Sequence, residues 1–214
     1  MAEDALARAL LALFMAADRP LDVETITQVF NEAADEEEYA QRVTAEAVEA
    51  AIQALQARWD GRAGIGLWSI AGGYQLRTAP DLGPLIQRLW PEKRPRLSSA
   101  ALESLAVIAY RQPCTRSEIE DVRGVDCGGI VRSLLARHLI RIVGKRDEPG
   151  RPLLYGTTAD FLALFSLPDV TALPTLRALH QMNTEAAAQS AGQPQHRAPD
   201  DADDVDDPRG AGAR

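Results

Sequence analysis

Residues 139–157 read LIRIVGKRDEPGRPLLYGT, and this pattern gives the clearest indication of the fold class. Two runs rich in leucine, isoleucine, valine and tyrosine, at 139–143 and 153–157, flank a loop at 144–152 that is polar and contains glycine and proline. Apolar runs of this length joined by a turn-rich segment predict two antiparallel strands. The loop at 144–152 is then a candidate wing, provided that helices precede the first strand.

Three helical segments do precede it. Ser98 is placed to cap the first, which ends where Gln112 meets Pro113. Thr115 and Glu118 have the spacing of a capping box for the second, and Gly124 closes it. We expect Asp126 to cap the third. The apolar positions of the first and third helices are Leu102, Leu105, Ala106, Ala109, Ile130, Leu134 and Leu135.

The N-terminal half repeats this order with different residues. Asp22 and Thr44 are placed to cap its second and third helices, and the alternation at 65–78 predicts a hairpin. We place Val29 on the apolar face of the second helix. A further amphipathic helix is predicted from Leu82, Leu85, Ile86 and Leu89.

Three helices followed by strand, loop and strand are typical of a winged helix. The sequence therefore predicts an α+β, mainly helical fold with tandem winged-helix domains at 1–90 and 98–167. A proline-flanked linker occupies 91–97, and an extension follows at 168–183, after a helix that Thr157 and Asp160 are expected to cap. Residues 184–214 lack large apolar side chains beyond Val205, so we expect a disordered acidic tail.

The charge distribution favours protein partners. The formal net charge is −8, with 14 acids against 7 bases in residues 1–90 and 8 acids against 9 bases in residues 98–167. Neither domain has the positive excess of a dedicated DNA-binding protein. No stretch of 18 apolar residues or signal peptide is evident, so we expect a cytoplasmic protein without membrane contact.

No motif predicts chemistry. Cys114 and Cys127 lack cysteine or histidine neighbours at ligand spacing, so neither a disulfide framework nor a zinc site is indicated. His138, His180 and His196 are scattered without the carboxylate, serine or cysteine partners of a catalytic site. We expect no enzyme, no cofactor, no metal and no small-molecule substrate.

The C-terminal half resembles a known family. It contains AYRQP at 109–113, then Thr115-Arg116, Glu118-Ile119 and Arg123-Gly124-Val125, and finally GRP at 150–152 with YGTT at 155–158. In these motifs the chain resembles segregation and condensation protein B. The resemblance is close over the second domain and rests on element order alone over residues 1–90.

This resemblance implies an accessory subunit of the bacterial SMC condensin complex. Such a subunit is a homodimer that binds the central region of the kleisin subunit, ScpA, and reaches the SMC protein through the kleisin. The family dimerises through its N-terminal domain, and both domains contribute to the kleisin contact. The expected location is the cytoplasm, in association with the nucleoid.

Four residues of the matching motifs are candidates for kleisin binding: Tyr110, Arg116, Arg123 and Arg151. Arginine and tyrosine combine packing area with hydrogen bonding at interfaces. Three of the four also have a structural interpretation. Arg123 can support the C-terminal end of its helix, and Tyr110 can be a half-buried aromatic. Arg151 can pair with an acid inside the domain, with a partner carboxylate or with DNA phosphate, and the ion pair inside the domain is the expected role.

A winged-helix transcriptional regulator is the alternative. The third helix of the first domain argues against it. In a DNA-binding winged helix this helix would approach the DNA, but here it carries Glu46 and Glu49, which repel phosphate, against a single base, Arg58. The second domain is more permissive. Basic residues occur on or near its third helix and on or beside the wing: Arg132, Arg137, His138, Arg141, Lys145, Arg146 and Arg151. Weak, non-specific DNA contact is compatible with this charge.

Overall fold

The computed structural model describes residues 3–35, 42–89, 97–175, 177, 178 and 181. The described chain up to Leu173 forms one compact unit. Most of the acidic run at 35–38, the linker residues 91–96 and the tail at 184–214 lie outside the described residues. The compact unit contains two separate hydrophobic cores. We call the described residues of 3–89, which surround the first core, the N-terminal lobe, and residues 97–173, which surround the second, the C-terminal lobe.

The N-terminal lobe consists of three helices followed by a hairpin. Asp22 accepts a hydrogen bond from the Thr25 amide at 2.6 Å, and Thr44 accepts one from the Ala47 amide at 3.3 Å, so both predicted caps are confirmed. Ile65–Ile70 pairs antiparallel with Gly73–Thr78. The elements are α1 (Glu3–Ala16), α2 (Val23–Asp35), α3 (Ala45–Arg58), β1 (Ile65–Ile70) and β2 (Gly73–Thr78).

Two predictions for the N-terminal lobe are wrong in detail. Val29 is exposed, because Ile26 and Phe30 alone carry the fully buried face of α2. The segment at 80–89 is a 3₁₀ turn, a four-residue helix α4 (Gly83–Ile86) and a second 3₁₀ turn, rather than one regular helix. Gly83 and Pro84 explain the interruption, because glycine weakens a helix and proline removes a donor.

The C-terminal lobe has the same order with one additional strand. Its three strands are antiparallel, in the order β3-β5-β4. The two-residue strand β3 was not predicted, because it is too short to show an alternating pattern. The elements are α5 (Ser99–Arg111), β3 (Cys114–Thr115), α6 (Arg116–Arg123), α7 (Gly128–Ala136), β4 (Ile140–Lys145), β5 (Leu153–Thr157) and α8 (Ala159–Leu164).

Local hydrogen bonds fix the helix ends of this lobe. The Ser98 cap, the Thr115–Glu118 capping box and the left-handed Gly124 at φ +68° are confirmed. The predicted caps of the last two helices are wrong by one residue. Cys127 occupies the cap position of α7, although Asp126 accepts from the Gly128 amide at 3.2 Å. Thr158 caps α8, since the preceding Thr157 belongs to β5.

Candidate partner-binding site

The exposed side of α5 is apolar. The residues that face the core are Ala101, Ser104, Leu105, Ile108 and Ala109. Leu102, Ala106 and Tyr110 lie on the solvent side at successive four-residue steps, and the exposed fractions of Leu102 and Tyr110 are 43% and 41%. We call these three residues the α5 stripe. A partner helix or extended segment with an apolar face fits such a surface.

This arrangement corrects the predicted register of α5. The sequence pattern predicts one apolar set that includes Leu102, Leu105, Ala106 and Ala109, whereas only Leu105 and Ala109 of these are buried. Ser104 explains the error, because its hydroxyl is buried and donates to the Ala100 carbonyl at 2.9 Å. A polar residue on the core side made the solvent side look like the more apolar one.

Arg123 is enclosed inside the lobe. Its Nη1 donates to the Ala100 carbonyl at 2.6 Å and to the Ser104 hydroxyl at 2.9 Å, and its Nη2 lies 2.9 Å from Glu103 Oε2. Only 13% of the side chain is exposed. These contacts join the end of α6 to the first turns of α5. They support the structural interpretation of Arg123, and its contact with a kleisin stays a prediction.

Arg116 lies seven residues from Arg123 on α6, and therefore on the same side of the helix. Its Nε lies 2.6 Å from Glu120 Oε1, and its Nη2 contacts Asp126. The hydrogen bond to Glu120 raises the pKa of Arg116, with Asp126 contributing in the same direction. Half of the side chain is exposed, so Arg116 keeps a surface available to a partner.

Arg151 lies in the β4–β5 loop, apart from the other three candidates. Its backbone has φ +42°, and its amide donates to the Glu148 carbonyl at 2.8 Å. The predicted ion pair of Arg151 is wrong as far as the structure describes the chain, since no described carboxylate pairs with its guanidinium. The residue is exposed, which leaves the guanidinium in solvent.

The loop does contribute an ion pair, through Arg146. Its Nη1 and Nη2 donate to the two carboxylate oxygens of Glu118 at 2.8 and 3.0 Å. Glu118 Oε2 also accepts from the Thr115 amide at 2.7 Å. The Arg146 hydrogen bond, followed by that from Thr115, lowers the pKa of Glu118 to about 2. Arg146 was named among the basic residues permissive for DNA contact, and in the structure the Glu118 carboxylate already pairs with its guanidinium.

Two further motif residues, Gln112 and Gly156, support the sheet. Gln112 Oε1 accepts from the Thr157 amide at 2.7 Å and from the Thr157 hydroxyl at 2.9 Å. A side chain on Gly156 would approach this oxygen to 3.1 Å and Val143 Cγ1 to 3.0 Å, so the position favours glycine. The AYRQP and YGTT motifs therefore meet in space, and their contact joins the end of α5 to β5.

Nothing in the described chain indicates metal or cysteine chemistry. Within the described residues no cluster of three or more histidine, cysteine or acidic side chains is placed to bind a metal. Cys114 and Cys127 are free and buried. Burial raises the pKa of the Cys114 thiol, and the nearby Glu118 carboxylate raises it further, which disfavours the reactive thiolate. None of the described helices has the length and hydrophobicity needed to span a membrane.

The sequence is similar to one family of known proteins over most of the two lobes. The family model of the segregation and condensation complex subunit ScpB matches residues 8–176. The chain belongs to the ScpB family. The matched range includes both lobes, so membership does not rest on the C-terminal motifs alone.

Individual relatives agree. The chain is 54% identical over 126 residues to segregation and condensation protein B of Myxococcus xanthus, with 59% of this chain and 38% of that protein covered. The chain is 53% identical to segregation and condensation protein B of Syntrophotalea carbinolica, and the match covers 58% of this chain and 64% of that protein. The chain thus spans less than two thirds of these two relatives. It is 39% identical to the Desulforamulus reducens protein, with 78% of this chain and 87% of the relative covered.

Among solved structures, the chain is similar to ScpB from Mycobacterium tuberculosis. The sequence identity is 33%, the TM-score is 0.34, and 78% of this chain and 98% of the mycobacterial chain are covered.

Proposed function

We propose that this ScpB-family chain is a non-enzymatic subunit of an SMC complex and binds the kleisin ScpA through the α5 stripe. The observation that carries the proposal is the exposure of Leu102 and Tyr110, at 43% and 41%, on a helix whose other side is buried in the core. Large apolar side chains in a row on a solvent-facing helix are a typical docking surface for an amphipathic segment.

The polar residues around the stripe fit this role in two ways. Arg123 holds Glu103, the neighbour of Leu102, and thereby fixes the polar border of the stripe. Arg116 and Arg151 retain exposed guanidinium surface and can contact acidic or carbonyl groups of a kleisin directly. Arg123 thus acts through positioning, whereas Tyr110, Arg116 and Arg151 are the proposed contact residues.

The finer architecture belongs to the same proposal. Each lobe has three helices followed by a hairpin, which supports tandem winged-helix domains. The three most exposed large apolar residues described in the N-terminal lobe, Met15, Leu85 and Leu89, support a homodimer formed through that lobe. The kleisin would connect this dimer to the SMC protein, in the cytoplasm and on the nucleoid, where the complex serves chromosome condensation and segregation.

Direct DNA contact is proposed only as a weak, non-specific addition. Residues 128–146 contain four arginines, one lysine and no acid, and they form α7 and β4. Arg132, Arg137, Arg141 and Lys145 are exposed and have no carboxylate partner among the described residues. The acidic N-terminal lobe opposes sequence-specific binding, and family membership does not favour the transcriptional regulator.

The kleisin proposal is tested by titrating the full chain with a central fragment of ScpA. Leu102→Ala and Tyr110→Ala should each weaken binding about tenfold or more, which is the range of interface hot spots. Leu164→Ala is the matched control, because Leu164 is a leucine of the same lobe with 55% exposure on α8. Parent-like binding by both stripe variants, or an equal loss in the control, would reject the α5 stripe as the site.

A further inference from the structure

The tip of the first hairpin has two backbone donors that the hairpin itself does not use. Ile70 pairs with Gly73, so Ala71 and Gly72 form a two-residue turn, and both have positive φ, at 52° and 80°. This conformation is that of a type I′ turn, which matches the twist of the strands. In such a turn the amides of the two central residues point away from the hairpin and need acceptors elsewhere.

The acceptors are in the other lobe. After α8 the chain turns at Ser166, where φ is +56°, and the Leu167 amide donates back to the Leu162 carbonyl at 2.9 Å. The Leu167 side chain packs against the core of the C-terminal lobe. The Leu167 and Pro168 carbonyls accept from the Ala71 and Gly72 amides at 2.8 and 2.9 Å.

A side-chain hydrogen bond reinforces this contact. Arg77 Nη1 donates to the Ser166 hydroxyl at 2.7 Å. The guanidinium is aligned from within its own lobe, since Arg77 Nε donates to Gln75 Oε1 at 3.0 Å. Three hydrogen bonds therefore connect one hairpin to one short segment, and each side is also held by hydrogen bonds within its own lobe.

The contact between the lobes is local rather than a continuous core. A cleft of about 280 Å³ remains beside it, lined by Arg19, Asp22 and Ala71 from the N-terminal lobe and by Ala159, Asp160 and Ala163 from the C-terminal lobe. The two clusters of buried apolar residues also stay separate. A contact of this kind can open without exposing either core.

We propose that Ala71, Gly72 and Arg77, together with Ser166, Leu167 and Pro168, form an inter-lobe latch that holds the two lobes in one arrangement in the free protein. The latch is independent of the identity of any partner. Its consequence for binding is preorganisation, because a segment that contacts both lobes would not have to order them first.

Amide hydrogen exchange, measured by NMR on the full chain, tests the latch. The Ala71 and Gly72 amides should exchange at least about tenfold more slowly than a turn amide without an acceptor, because exchange requires the hydrogen bond to open. Glu148 in the β4–β5 loop provides that reference, since its amide has no acceptor among the described residues. Exchange of Ala71 and Gly72 as fast as Glu148 would overturn the proposal.

Two variants then test the side-chain part. Arg77→Ala and Ser166→Ala should each accelerate exchange at Ala71 and Gly72 by about threefold or more, while the amides of β1 stay protected and show that the hairpin is folded. Arg62→Ala is the matched control, because Arg62 is an exposed arginine that pairs with Asp60 of its own lobe. If the Ala71 and Gly72 amides exchange no faster in Arg77→Ala and Ser166→Ala than in the Arg62→Ala control, the latch as proposed is wrong.

Discussion

The guanidinium of Arg146 donates to both carboxylate oxygens of Glu118, and this pair joins the end of β4 to the first turn of α6. The same carboxylate accepts the Thr115 amide, so one side chain completes a helix cap and holds the β4–β5 loop. Bidentate arginine–carboxylate hydrogen bonds of this kind are stronger and more directional than ion pairs with a single hydrogen bond. The loop is thereby tied at Arg146, whereas Arg151 at its other end stays in solvent.

This pair makes part of the stability dependent on pH. The pKa of Glu118 is lowered from 4.5 to about 2 in the folded chain, so the folded state favours the charged form. The stabilisation is complete above the unfolded pKa near 4.5 and is lost as pH falls toward 2. Because the pair is partly exposed, we expect Glu118→Gln to cost only about 1 kcal/mol at neutral pH.

The measurement is chemical denaturation of parent and Glu118→Gln at several pH values. The difference in unfolding free energy should shrink as pH falls from 4.5 toward 2. Glu148→Gln is the control, because Glu148 lies 4.0 Å from Arg146 in the exposed loop and should change stability little. A constant difference over this pH range would show that the charge of Glu118 does not contribute.

Arg123→Ala should destabilise the C-terminal lobe by about 1–3 kcal/mol, because it leaves the Ala100 carbonyl and Ser104 hydroxyl without a charged donor. Arg151→Ala should leave the melting temperature nearly unchanged, since its guanidinium is exposed. Thermal unfolding of both variants, followed by titration with the kleisin fragment, separates the two roles. Lower affinity without lower stability in Arg123→Ala would make Arg123 a contact residue.

The sequence predicted the helix caps, which depend on neighbouring residues, and missed the hydrogen bonds between residues far apart in the chain. The caps at Asp22, Thr44, Ser98 and Thr115 were predictable because donor and acceptor lie within three residues. The partner of Glu118 lies 28 residues away and that of Gln112 lies 45 residues away. No periodicity indicates such pairs, since they depend on how helices and strands pack.

The candidate site illustrates the same limit. The resemblance selected Arg123 because it belongs to a motif, yet in the structure Arg123 serves the packing of α5 on α6. Leu102, which lies on the exposed stripe, was assigned to the core because leucine on a helix usually is buried. Buried Ser104 could have indicated the true register only if its partner, Arg123, had been known.

DNA affinity should be weak and sensitive to salt. With only four exposed, unpaired cations on α7 and β4, we expect a dissociation constant of roughly 1–100 μM at physiological salt, the range of non-specific binding. Arg137→Ala combined with Arg141→Ala should weaken it further, and binding should not distinguish random from selected duplexes. Fluorescence anisotropy at several salt concentrations checks this. A nanomolar preference for one sequence would instead favour a regulator.

Apart from cleavage in the tail at 184–214, limited proteolysis should cut the full chain first between the two lobes, within residues 91–96, since the two cores share no buried residues. Mass spectrometry should then find two protected fragments that correspond to residues 1–90 and 98–167. Initial cleavage inside α3 or α5, with 91–96 intact, would contradict two separately folded domains.

The N-terminal lobe exposes a set of large apolar side chains that its own core does not need. Leu85 and Leu89 are 65% and 71% exposed on the irregular helical segment after the hairpin, and Met15 is 78% exposed at the end of α1. Large apolar side chains exposed on one segment, such as Leu85 and Leu89, are typical of a protein–protein interface. Burial against a second copy would remove this surface from water.

We therefore expect Leu85→Asp combined with Leu89→Asp to shift the full chain from dimer to monomer at micromolar concentration, because a buried carboxylate without a partner opposes association. Light scattering coupled to size exclusion measures the mass directly. The matched control is Leu164→Asp, a leucine with 55% exposure in the C-terminal lobe, which should remain dimeric. If Leu164→Asp dissociates the dimer and the double variant does not, dimerisation must be assigned to the C-terminal lobe, and the roles of the two lobes are exchanged.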